Sequence, residues 1–103
     1  MVNLSQYYDE KKWLDFYNLI VPRELEKNKY FFNYLETLNV FPDDINRILA
    51  SLYDYMFFGK IEVFEKWLRN KHKMLDNNTP LEILKTNNGE KSLKEYIMRY
   101  PSI

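Results

Sequence analysis

Between Pro42 and Gly59, apolar side chains fall at Ile45, Ile48, Leu49, Leu52, Tyr53 and Met56. That is the i, i+3, i+4 spacing of a helix burying one face for three turns. Pro42 suits its start, and Asp43 and Asp44 sit at its positive end. Phe57-Phe58-Gly59 closes it, with Gly59 able to take the left-handed C-terminal position. The same period recurs along the chain, and the strict alternation of a half-buried strand does not. The sequence therefore reads as all-α, a compact bundle of about six helices.

The first helix is expected over about Ser5 to Val21, with Ser5 as N-cap and Trp13, Phe16, Tyr17 and Ile20 on one stripe. Pro22 is expected to stop it and to open a second helix reaching Leu38. That helix would face inward with Leu25, Phe32, Leu35 and Leu38, leaving Tyr30, Phe31 and Tyr34 on its other side. So much aromatic surface implies a central helix or contact with a second chain. A fourth helix, about Lys60 to Asn70, turns Ile61, Phe64, Trp67 and Leu68 inward. Lys71 to Asn78 reads as a polar connection from which Met74 and Leu75 dip into the core. Thr79-Pro80-Leu81-Glu82 is a capping box that starts a short fifth helix. Asn87-Asn88-Gly89 makes the next turn, and the sixth helix carries Leu93, Tyr96, Ile97 and Tyr100 until Pro101.

At 103 residues the chain is expected to be a single domain, 1–103, with aromatic-rich helices over 1–40 and a distinct region over 41–103. Its aromatic content of 17% exceeds what a core of this size comfortably holds, which points to aromatic surface and a protein partner. Fifteen basic and fifteen acidic residues cancel, so no global field favours nucleic acid or a membrane surface. The absence of cysteine fits a reducing compartment, and no apolar run has the length of a membrane span. A cytoplasmic protein without membrane attachment is expected.

The residues do not read as those of an enzyme. The one histidine, His72, stands between Lys71 and Lys73 in the polar connection and reads as a solvated loop residue. Asp9/Glu10 and Asp43/Asp44 read as helix-dipole partners, and Glu62/Glu65 as a solvated face. No catalytic residue, cofactor site or metal site is expected. Lys66, Arg69, Lys71, His72 and Lys73 form a short basic cluster that supports nucleic-acid contact only weakly in a neutral chain. The run Tyr53 to Phe58 reads mostly as core and secondarily as a partner-binding patch.

The order of motifs in the C-terminal half resembles the toxin-binding domain of the Xre/MbcA/ParS antitoxins. Phe58-Gly59 and Trp67-Leu68 match that family's Phe-Gly and Trp-Leu pairs. Leu75 with Thr79-Pro80-Leu81 matches its Leu-Gly-Gly-x-Thr-Pro-Leu segment, Asp76-Asn77 standing for Gly-Gly. Ile83-Leu84 and Thr86-x-x-Gly89 follow in order, then a closing helix with Leu93 and Ile97. The resemblance implies an antitoxin that neutralises a RES-type, NAD-consuming toxin by occluding its active site. Arg99, Tyr100, Pro101 and Ser102 would supply the blocking contact, and a homo-oligomer is expected. Residues 1–38 lack the small-residue turn of a DNA-reading helix-turn-helix. Two other readings stand beside this one: a small DNA-binding regulator, and a stand-alone interaction module of a mobile element.

Overall fold

The computed structural model describes residues 3–100. Seven α-helices follow in order: α1 (Glu10–Glu24), α2 (Lys29–Leu38), α3 (Asp43–Ser51), α4 (Tyr53–Phe57), α5 (Ile61–Arg69), α6 (Pro80–Leu84) and α7 (Gly89–Arg99). Single 3-10 turns precede α1 (Leu4–Tyr7), link α1 to α2 (Leu25–Asn28) and precede α6 (Lys73–Leu75). No strand occurs among the described residues, so the all-helical reading holds. The clean apolar stripe from Ile45 to Met56 is buried at every position, but its helix breaks at Leu52 into α3 and α4.

Two expectations at the N-terminus are corrected. Ser5 is not the N-cap of the first helix. Asn3 caps the 3-10 turn, its carboxamide oxygen accepting from Ser5 N at 3.2 Å, and Asp9 caps α1 through Lys11 N at 2.9 Å. Pro22 does not stop α1 but lies inside its last turn. It lacks an N–H, so one intrahelical bond is lost near the end, where few remain to be broken. Val21, buried beside it, keeps the helix on the core, and the chain tightens into the 3-10 turn at Leu25.

α2 consequently begins at Lys29, and its central role is the reading that holds. Phe31, expected on the outer side, is 1% exposed; Phe32 and Leu35 are buried with it, leaving Tyr30 in solvent. Phe31 stacks on Tyr53 with ring centroids 3.9 Å apart and meets Phe64 edge-on at 5.2 Å. Phe57 bridges Phe64 and Trp67 at 5.2 and 5.3 Å. These offset and edge-to-face contacts suit the ring quadrupoles and join α2, α4 and α5. Leu4 and Trp13 from the N-terminal segment and Leu93 and Ile97 from α7 belong to the same core.

Candidate functional site

The motif residues of the C-terminal half build one scaffold. Trp67 closes α5 against the aromatic core, with Leu68 half-buried beside it. The chain then folds back on itself: His72 N donates to Asn78 O, and Asn77 N to His72 O, both at 3.0 Å. Asp76 and Asn77 inside this turn have φ of 56° and 62°. They hold the left-handed backbone for which a Gly-Gly pair is the usual choice, and short polar side chains tolerate it. Leu75 is buried under the turn. Thr79 Oγ1 accepts from Glu82 N at 3.1 Å while Thr79 N donates to Glu82 Oε1 at 2.9 Å. The expected capping box thus starts α6, with Pro80 buried and Leu81 and Leu84 packed on the core.

His72 is not a solvated loop residue. It is half-buried between the rings of Trp67 and Tyr96, at 5.8 and 5.6 Å. Nε2 lies 2.8 Å from the Trp67 carbonyl oxygen, which can only accept, so Nε2 carries a proton. In the neutral ring, Nδ1 accepts from the Tyr96 hydroxyl at 3.4 Å. Burial holds the Tyr96 phenol above its ordinary pKa. The neighbouring Trp67 indole acts in the opposite sense, without forming a well-shaped hydrogen bond through its buried Nε1. The imidazole therefore ties the α5 end to α7.

A second tie comes from outside the motif. Asp44, expected only to balance the α3 dipole, accepts through Oδ2 from Trp13 Nε1 and from Lys94 Nζ, both at 3.0 Å. Lys94 also pairs with Glu90 at 3.0 Å and lies over the rings of Trp13 and Tyr8. Burial alone would lower its pKa, but hydrogen bonds to Asp44 and Glu90 hold it above the ordinary lysine value. Burial pushes the Tyr8 phenol up to about 12; Lys94 opposes this and Glu10 reinforces it. This cluster fixes α7 against α1 and α3. Nothing in local spacing announces it, because its members lie far apart in sequence.

The carboxylate pairs Asp9/Glu10 and Glu62/Glu65 and the cations Lys66, Arg69, Lys71 and Lys73 are not gathered into a site; these four cations are all exposed. No group of three or more metal-ligating side chains occurs among the described residues. No described helix is long and apolar enough to cross a membrane.

Of the residues expected to contact a partner, Arg99 pairs with Glu95 at 2.7 Å and lies over the Tyr7 ring. Tyr100 is half-buried, its hydroxyl donating to Met56 O at 3.4 Å. Pro101 and Ser102 lie outside the described residues. Tyr100 lines an open groove of about 470 Å³, together with Leu19, Ile20 and Arg23 of α1 and Asp54 and Tyr55 of α4. Within the motif itself, Phe58 is the one large side chain left in solvent, 71% exposed, and it was not separable by spacing from the buried run before it.

No curated protein and no solved structure matches the chain. Residues 55–100 match the family model for the antitoxin Xre/MbcA/ParS C-terminal toxin-binding domain, the family whose motif order this half of the chain resembles.

Proposed function

We propose that this chain is a cytoplasmic antitoxin that binds a RES-type, NAD-consuming toxin and occludes its active site stoichiometrically, without chemistry of its own. The observation that carries the reading is the match of residues 55–100 to a toxin-binding domain. The geometry supports it in one respect: motif residues from Trp67 to Gly89 brace α7, which carries Arg99 and leads into the half-buried Tyr100 that lines the open groove. In this reading Arg99, Tyr100, Pro101 and Ser102 plug the toxin's entrance, and the complex assembles from more than one antitoxin copy.

Co-expression with a RES-type toxin from the same genome tests the proposal, with cellular NAD and growth as readouts. NAD should be preserved and the two chains should co-purify in fixed proportion. Depletion of NAD to the level seen with toxin alone overturns the reading. Removing residues 101–103 should leave the fold unchanged and weaken protection; unchanged protection sinks the plug.

A further inference from the structure

Phe58 combines a left-handed backbone with an exposed ring. Its backbone is left-handed, with φ 55° and ψ 28°, a region that a bulky L-residue occupies only under strain. Its ring is 71% exposed, outside the core cluster and in no aromatic pair. The turn requires a left-handed residue here, since the Phe58 and Gly59 N–H groups both return to the Tyr53 carbonyl. It does not require a phenyl ring; glycine would close the same turn without strain. Strain held at an exposed position points to a function served outside the chain.

The surroundings define what the ring would meet. Tyr55, three residues earlier and within α4, is 58% exposed and meets Tyr100 edge-on at 6.5 Å. Phe58 thus stands exposed three positions from the Tyr55–Tyr100 pair, and Tyr100 belongs to the proposed plug. Asp54, exposed and with no ion-pair partner among the described residues, lies against Gly59 and lines the groove beside Tyr55.

We infer that Phe58 is the anchor by which this chain docks on its toxin. It would enter an apolar pocket beside the toxin's active-site entrance, with a basic edge facing Asp54. Buried aromatic anchors of this kind dominate interface energetics, while α7 positions the plug. The inference rests on the antitoxin reading and names the surface it uses.

The experiment compares wild type, Phe58→Ala and Phe58→Gly for binding to the purified RES-type toxin, thermal midpoint and mass in solution. Phe58→Ala should keep the fold and weaken toxin binding about tenfold or more. Phe58→Gly should raise the thermal midpoint, by relieving the strained backbone, yet lose affinity equally. Asp54→Lys should weaken binding in the same direction. Wild-type affinity in both Phe58 variants overturns the anchor while leaving the antitoxin reading standing. Dissociation of a homo-oligomer by Phe58→Ala, with toxin affinity unchanged, assigns the patch to a second copy and also overturns it. A wild-type chain that binds no RES-type toxin removes the antitoxin reading, and the anchor with it.

Discussion

At Gly89 a side chain would begin 1.6 Å from the carbonyl oxygen of Ile83, a backbone atom that α6 holds in place. Gly89 is thus needed for close approach and not for a positive φ, which belongs to Asn88 before it. Gly59 differs: its φ is +66°, and an added Cβ would meet only the end of the Asp54 side chain at 2.9 Å. Gly89→Ala should cost about 3 kcal/mol, at the upper end for overpacking. Gly59→Ala should cost about 1–2 kcal/mol, the left-handed penalty of an L-residue. Urea midpoints of the two variants check the order, and a reversed order refutes the distinction. Ionisation gives a second prediction at this scale. Lys94 and the phenols of Tyr8, Tyr34, Tyr53 and Tyr96 all hold their protons more tightly folded than unfolded. As pH rises past the unfolded tyrosine value of about 10, the unfolded chain releases protons first, and stability falls toward the Tyr8 value of about 12. Below that window these groups contribute their full share. Urea midpoints measured from neutral to strongly alkaline pH should decline only in this upper range; a flat profile there contradicts the placement of Tyr8 and Lys94.

α6 is short and depends on its cap. Thr79→Ala removes the bond to Glu82 N and should lower stability by about 1 kcal/mol, read from urea unfolding; no change would mean the box contributes nothing. This box was legible in the sequence because its four residues are contiguous and the chemistry is local. The stripe from Ile45 to Met56 was legible for the same reason, since period alone places its face. Pro22 misled because a proline near a helix end removes one bond only, and the buried Val21 beside it outweighs that loss. His72 and Asp44 were misread because their partners are remote: Tyr96 lies 24 positions from His72, and Trp13 lies 31 from Asp44. Phe58 follows directly on the buried Met56 and Phe57, and the left-handed turn that ends α4 at that residue is not legible in spacing. The motif residues were thus readable as a scaffold, while the exposed surface they support was not.

The molecule has a Cα radius of gyration of 12.8 Å, the size of a single domain of this length. Its core does not respect the boundary at Tyr55: Leu4, Trp13 and Phe31 pack in one cluster with Phe64, Leu93 and Ile97. A fragment of residues 55–103 should therefore lack fixed tertiary structure, despite matching a family model almost throughout. Dispersed amide NMR signals from that fragment would refute this. The placement of the two indoles has an optical consequence. Trp13 is 1% exposed beside a carboxylate and an ammonium, and Trp67 is 7% exposed beside an imidazole. Each half of the chain thus carries its own shielded fluorophore with a distinct quenching environment. Replacing either one with phenylalanine leaves the other to report alone, and a chain with one shared core loses both emissions at the same denaturant concentration.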